Sequence, residues 1–209
     1  MEKFTRLTAA ACPIGQLNLN TDQIIPARFL RQPRAGGAYG KALFHDLRRD
    51  AAGRERPDFP LNQPAWREAK VVVGARNFGC GSSREGAVYA LQDHGVRCVI
   101  APSFGDIFSG NAVQNGLLTA IVTDDEAAEI RAALERTPEL PLTVDLEQRT
   151  ILCGNRTYHF TIDPVRRTRL LNGWDDIALT ESYRDRIAAF KASDRAARPW
   201  AVPRANPDP

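Results

Sequence analysis

Val71-Val72-Val73-Gly74-Ala75-Arg76-Asn77-Phe78-Gly79-Cys80-Gly81-Ser82-Ser83-Arg84-Glu85-Gly86-Ala87-Val88-Tyr89-Ala90-Leu91 is the stretch on which the fold turns. Its first four residues are an apolar, β-branched run that reads as a buried strand. Ala87 to Leu91 reads as a helix. Between them, Gly79 and Gly81 allow a tight turn and a close approach of backbone to a ligand. A strand, a glycine turn and a helix start make an anion site, because the first free N–H groups and the helix dipole favour negative charge. Ser82, Ser83 and Arg84 add two hydroxyls and a guanidinium suited to a carboxylate. The same residues admit a plainer reading. Ser82-Ser83-Arg84-Glu85 fits the Ser-x-x-Glu capping box, in which Ser82 only caps the helix.

Outward from this stretch, residues 70–122 read as β-α-β-α-β. The strands fall at about 70–74, 96–101 and 117–122, with helices at about 84–94 and after Pro102-Ser103. Gly95 stops the first helix, Asn115-Gly116 ends the second, and Ser103 with Asp106 is its expected cap pair. Strands alternating with helices imply a parallel sheet, whose ligands bind beyond the carboxyl ends of the strands. The glycine-serine turn lies at such an end. Asp124 is the expected cap of a helix over about 125–136, with Ala127, Ile130, Ala133 and Leu134 as its apolar stripe. Segments 142–146, 150–152 and 157–162 alternate as strands around a Gly154-Asn155 hairpin turn. Asp163-Pro164 opens a helix ending near Asn172-Gly173, and a last helix covers about 180–192.

The first 65 residues are less regular. Phe4 to Ala9 reads as a strand and Asn20-Thr21-Asp22-Gln23 as a turn or helix start. Residues 31–64 form a long stretch bearing glycine and proline, a length usual for functional or mobile loops. Arg28, Arg31 and Arg34 crowd its beginning, either as a solvated basic face or as a lid carrying arginine to an anionic substrate. The expected organisation is one domain over 1–198, with a disordered tail at 199–209.

Composition narrows the function classes. The 209 residues carry 28 basic and 25 acidic side chains, mostly interspersed, and a net charge of +3. That argues against a nucleic-acid binder, whose basic residues cluster; the basic run Arg166, Arg167 and Arg169 reads as a helix face. No apolar run reaches membrane-spanning length, and the first residues lack the apolar core of a signal peptide, so a cytoplasmic protein is the expectation. Cys12, Cys80, Cys98 and Cys153 form no Cys-x-x-Cys pair, which speaks against an iron–sulfur or zinc site held by this chain. The lysine of a Gly-x-x-x-x-Gly-Lys-Ser/Thr loop is also missing, against a nucleotide-binding module.

Several segments converge on one family. Thr21-Asp22-Gln23-Ile24-Ile25-Pro26, Asn77 to Glu85, Ile100-Ala101-Pro102-Ser103-Phe104 with Asp106-Ile107-Phe108, and Asn115-Gly116-Leu117-Leu118 occur in this order. Together they resemble the small subunits of 3-isopropylmalate dehydratase, relatives of the last domain of aconitase. Thr161-Ile162-Asp163, Arg166-Arg167 and Leu171-Asn172-Gly173 extend the likeness, which covers roughly residues 5–185. It implies an α/β fold of the aconitase swivelling type (β/β/α), with a parallel βαβαβ core and flanking antiparallel strands. It implies a hydro-lyase that interconverts 2-isopropylmalate and 3-isopropylmalate through an alkene in leucine biosynthesis. The partner would be a large subunit carrying a [4Fe–4S] cluster, with neither cofactor nor metal held by this chain.

On the matching residues, the resemblance makes Ser82 the catalytic base. Ser83 and Arg84 would hold a substrate carboxylate, and Asp22 would orient the serine region. Gly79 and Gly81 would support the turn. A serine alkoxide needs its charge stabilised by N–H donors, the helix dipole and Arg84. The cluster iron on the partner would take the leaving hydroxyl as Lewis acid. The chain departs from the family at one place. Gly86 stands where the family usually has histidine, and Ala87 to Leu91 replaces the usual Ala-Pro-Trp-Ala-Leu. A paralogue acting on another hydroxydiacid, such as a methylmalate, is therefore the alternative.

Overall fold

A computed structural model describes residues 1–31, 33–81 and 84–201. The chain falls into two compact units, Met1–Gly173 and Trp174–Pro209, where the sequence suggested one domain over 1–198.

The first unit contains a seven-stranded sheet. Its elements in chain order are β1 (Arg6–Pro13), α1 (Thr21–Ile24), α2 (Ala38–Lys41), α3 (His45–Arg48), β2 (Val71–Val73), α4 (Gly86–His94), β3 (Cys98–Ala101), α5 (Asp106–Gln114), β4 (Leu118–Ile121), α6 (Asp124–Arg136), β5 (Pro141–Asp145), β6 (Thr150–Cys153), β7 (Arg156–His159) and α7 (Pro164–Asn172). The strand order is β4-β3-β2-β1-β5-β6-β7. The predicted βαβαβ core is present as β2-α4-β3-α5-β4, with all neighbours parallel. β5, β6 and β7 form the antiparallel flank.

β1 joins the two halves. Ala11 to Pro13 pair in parallel with β2, and Arg6 to Ala10 pair antiparallel with β5. The sequence placed this strand at 4–9, whereas it runs from Arg6 to Pro13 through Ala9-Ala10-Ala11, residues of weak strand propensity. Pairing on both edges supplies what propensity lacks. A bridge between Ile121 and Thr161 ties the β4 edge to the chain just after β7, so the sheet curls. This bridge also ends the last strand earlier than the predicted 162.

Side chains alternate across the sheet with the two-residue period of a strand. Cys12, Val72, Val99 and Ala101 face one apolar cluster, built with α4, Phe108 and Ala112 of α5, and the segment after α1. Ala11, Val71, Val73, Cys98 and Ile100 face the other, built with Ala127, Ile130 and Leu134 of α6 and the inner residues of β5 to β7. Both faces are covered, which is why β2 and β3 read as unbroken apolar runs.

Four local expectations are corrected. The stretch 31–64 is not a structureless lid. It holds α2, α3 and short 3-10 turns, and buries Leu43, Phe44 and Leu61 completely. The cap of α6 is Thr123, not Asp124, and it forms a reciprocal box with Glu126. α5 is preceded by Gly105, and Ser103 does not cap it. Arg166, Arg167 and Arg169 are not a free basic face: Arg166 donates to Ser109 Oγ, Arg167 to the carbonyls of Leu146 and Glu147, and Arg169 is buried.

In the second unit the predicted last helix is two, α8 (Asp176–Glu181), capped by Asp175, and α9 (Arg184–Ala197). Pro199–Ala201 forms a 3-10 turn where a disordered tail was expected to begin, and 202–209 lies outside the described residues. No helix among the described residues is long and apolar enough to cross a membrane.

Candidate active site

The glycine turn after β2 is gripped on both sides. Toward β1, the Gly79 N–H donates to the Leu19 carbonyl at 2.7 Å and the Thr21 N–H to the Cys80 carbonyl at 2.8 Å. Toward β3, the Phe78 N–H donates to the Ser103 carbonyl at 3.0 Å and the Gly105 N–H to the Phe78 carbonyl at 2.9 Å. Asn20 and Cys80, and Phe78 and Phe104, make parallel bridges. The order β1-β2-β3 is thus repeated by their loops beyond the carboxyl ends of the strands, and the turn is held as a continuation of the sheet. Ser103 Oγ accepts from the Asn77 N–H at 2.8 Å, and Asn77 Nδ2 donates to Asn18 Oδ1 at 2.9 Å. Neither Ser103 in this role nor Asn18 was found from sequence, since both partners are distant in the chain.

The glycines are required by geometry. Gly79 has φ +73°, and a Cβ there would stand 2.3 Å from Cγ of Phe108. A Cβ on Gly105 would stand 2.6 Å from the Gly79 carbonyl oxygen. Gly81 has φ +102° and sits against Thr21, whose Oγ1 would be 3.4 Å from a Cβ. Phe78, Phe104 and Phe108 pack as a ring trio beneath the turn, with centroids 5.6–6.3 Å apart.

Asp22 comes to the turn by way of α1. Asn20 caps that helix reciprocally with Gln23, at 2.8 and 3.0 Å, and the Thr21 bond to Cys80 docks it on the turn. Asp22 itself is exposed, as is Arg84 at the start of α4. Ser82 and Ser83 lie outside the described residues. The capping-box reading of 82–85 requires a helix from 83; α4 instead begins at Gly86, and the Glu85 carboxylate accepts from the Tyr89 hydroxyl. The N–H groups of the first turn of α4 have no intrahelical partners.

The three arginines of the preceding segment part company. Arg28 is ion-paired with Asp46, beside His45, with its guanidinium 4.7 Å from the Phe29 ring centroid. This hydrogen bond and charge hold the Asp46 carboxyl low, at about 2. Arg34 is ion-paired with Asp93 at 2.8 Å and lies 4.0 Å over the Tyr89 ring. Asp93 is at the far end of α4, about 10 Å along the helix from Gly86. Arg34 therefore clamps its segment to α4. Arg31 is exposed, and with Asp22 and Arg84 it has no hydrogen bond or ion pair among the described residues. Among the described residues, these three are the charges of the predicted site that have no partner.

Leu30 seats the segment. A Cβ on Gly86 would stand 2.3 Å from Leu30 Cδ2 and 3.7 Å from Ile25 Cγ2. The Tyr39 hydroxyl donates to the Leu30 carbonyl at 3.3 Å, and the Tyr39 and Tyr89 rings lie 6.4 Å apart. Gly86, Tyr89 and Asp93 lie along one face of α4 by helical spacing.

Burial raises the thiols of Cys12 and Cys98 far above the ordinary range, and that of Cys153 by a lesser amount. Those three lie on β1, β3 and β6, while Cys80 lies at the turn with its thiol 3.4 Å from the Asn18 carbonyl oxygen. Among the described residues no three His, Cys, Asp or Glu side chains gather as a metal-ligand set.

Comparison with known proteins places this geometry. Residues 1–125 match the family model of the aconitase C-terminal domain, and 128–164 a model described as LeuD_N. A 3-isopropylmalate dehydratase small subunit of Rhodospirillum centenum is 48% identical over 97% of this chain and 100% of its own length. One from Paramagnetospirillum magneticum is 45% identical over 96% and 100%. The crystal structure of 3-isopropylmalate dehydratase (leuD) from Methanocaldococcus jannaschii is similar with a TM-score of 0.63 and 28% identity, over 89% of this chain and 99% of that one.

Proposed function

The chain belongs to the family of 3-isopropylmalate dehydratase small subunits, with the aconitase C-terminal fold, and on that premise we propose that it is the small subunit of a two-chain hydro-lyase. The complex interconverts 2-isopropylmalate and 3-isopropylmalate through 2-isopropylmaleate. The reading rests most on one observation: the loops beyond β1 and β2 bring Asp22 and Arg84, both uncommitted, around the Gly79–Gly81 turn.

In this reading Ser82, as alkoxide, removes the proton from the carbon next to a carboxylate. The free N–H groups at the start of α4 and the guanidinium of Arg84 stabilise that negative charge. Arg84 and Ser83 hold the substrate carboxylate, with Arg84 in the bidentate geometry natural to its planar fork. Asp22 orients the serine turn from α1. Arg31 reaches the substrate from the segment seated on Gly86.

We place the [4Fe–4S] cluster that the family likeness implies on the large subunit; among the described residues of this chain no three His, Cys, Asp or Glu side chains gather as a ligand set. The dicarboxylate is the substrate class, the large subunit the partner, and the cytoplasm the setting of this proposal. The paralogue reading, with a hydroxydiacid such as a methylmalate, is favoured by Gly86.

Purified chain mixed with the cognate large subunit under anaerobic conditions is expected to convert 2-isopropylmalate, and the chain alone to be inactive. Activity of the partner-free chain would overturn the two-chain assignment. A higher kcat/KM on a methylmalate than on isopropylmalate would replace the substrate and leave the reaction class.

A further inference from the structure

β1 and β2 each leave the sheet and then meet again. Their last paired residues are Pro13 and Val73, which lie in register. Each chain then makes a short turn, one at Leu17-Asn18 and the other at Arg76-Asn77. Beyond the turns they pair once more, through the parallel bridge of Asn20 and Cys80. Both turns end on an asparagine with left-handed backbone, φ +52° at Asn18 and +62° at Asn77. Asparagine tolerates that region better than other residues bearing a Cβ. Glycine would serve the backbone as well, so what asparagine adds at both places is its amide.

The two amides meet. Asn77 Nδ2 donates to Asn18 Oδ1 at 2.9 Å. The Asn18 N–H donates to the Arg76 carbonyl at 3.0 Å, and the Cys80 thiol to the Asn18 carbonyl at 3.4 Å. Asn18 thus holds both ends of the 76–80 segment. On its other side Asn77 is fixed by Ser103, whose Oγ accepts the Asn77 N–H at 2.8 Å. Past this junction come the bonds that join α1 to the glycine turn, from the Gly79 N–H to the Leu19 carbonyl and from the Thr21 N–H to the Cys80 carbonyl. Asp22 is the next residue on one chain, and the other leads through Ser82 to Arg84. A slip of one residue between the two segments would displace Asp22 by about 3.3 Å along the turn. A misplacement of about 1 Å can cost a rate factor on the order of 10².

We propose that Asn18 and Asn77 are a positioning pair for this enzyme. Their side-chain hydrogen bond sets the register in which the two chains rejoin, and through it the placement of Asp22 against the turn that leads to Ser82 and Arg84. Neither asparagine touches substrate in this assignment. The catalytic consequence rests on the proposed function, whereas the register itself does not.

The test compares full-length Asn18→Gly, Asn77→Gly, the double glycine variant and Asn18→Asp. Glycine keeps the left-handed backbone and removes the amide. Aspartate at 18 keeps an acceptor for Asn77 Nδ2 and tolerates the same backbone. In amide hydrogen exchange followed by NMR, Thr21 and Gly79 are expected to exchange about ten-fold faster or more in the three glycine variants, and at nearly the parental rate in Asn18→Asp. The Ile14 amide, bonded to the Val73 carbonyl before the turns, should be unmoved in all four. In the complex with the large subunit, the glycine variants are expected to lose about ten-fold or more in kcat with little change in KM. The double variant should fall no further than either single one, and Asn18→Asp should stay near the parent. Unchanged exchange at Thr21 and Gly79 in the glycine variants would overturn the pair. So would a raised KM at parental kcat, a double loss equal to the product of the single ones, or an Asn18→Asp variant as impaired as Asn18→Gly. A parental complex inactive on every hydroxydiacid would overturn the proposed function instead, and the exchange rates would then decide the pair by themselves.

Discussion

Leu30 occupies the space that a side chain on Gly86 would need: its Cδ2 stands 2.3 Å from the position of a Cβ there. A side chain at 86 therefore excludes the present position of the Leu30 Cδ2 methyl, which must turn aside to admit it.

That exclusion predicts coupling. Gly86→Ala gains about 1 kcal/mol of helix propensity and loses about 1–3 kcal/mol by forcing Leu30 out of its seat. A net loss of about 1 kcal/mol is expected. Leu30→Ala should cost less in the Gly86→Ala background than in the parent, with an interaction energy of roughly 0.5–2 kcal/mol. A urea-denaturation double-mutant cycle measures it, and strict additivity would show that the two residues do not share the space.

Arg31 and Arg34 should separate. Arg34→Ala removes the Asp93 pair and the contact over Tyr89, and is expected to lower stability by about 1 kcal/mol while the ratio of kcat/KM values among malate derivatives stays constant. Arg31→Ala should leave the denaturation midpoint alone and change that ratio. Equal effects of both variants on all substrates would remove Arg31 from the site.

Ser82→Ala tests the base. As α4 begins at Gly86, loss of the Ser82 hydroxyl is expected to cost little stability, and to lower kcat of the reconstituted complex by a factor on the order of 10²–10⁴. Near-parental turnover in a fully assembled Ser82→Ala complex would sink the assignment.

The Arg28–Asp46 pair gives a pH signature. Asp46 has a folded pKa of about 2, below the roughly 3.9 of an unfolded aspartate. Its contribution is therefore present above pH 4 and lost as pH falls toward 2. Both side chains are more than half exposed, so the contribution is about 0.5 kcal/mol after solvent screening. Asp46→Asn should be less stable than the parent by that amount at pH 7 and equal to it at pH 2. A difference that persists at pH 2 would point to packing rather than charge.

The sequence alone determined the parallel core. Val71–Val73 and Cys98–Ala101 are apolar on both faces, Gly95 stops a helix, and Gly154-Asn155 turns a hairpin; each is a local signal with a local cause. It also identified the glycine turn, because a left-handed φ and a backbone approach leave glycine as the residue that fits. It did not reveal that β1 is shared between parallel and antiparallel partners, that Ser103 holds Asn77 instead of capping α5, or that Arg34 is bound to Asp93. Those facts are contacts between residues far apart in the chain. A charged or hydroxyl side chain looks the same in sequence whether it faces a ligand or a neighbour. Only the folded arrangement, by bringing one counter-charge to Arg28, another to Arg34 and none of the described ones to Arg31 or Arg84, decided which cations remain available.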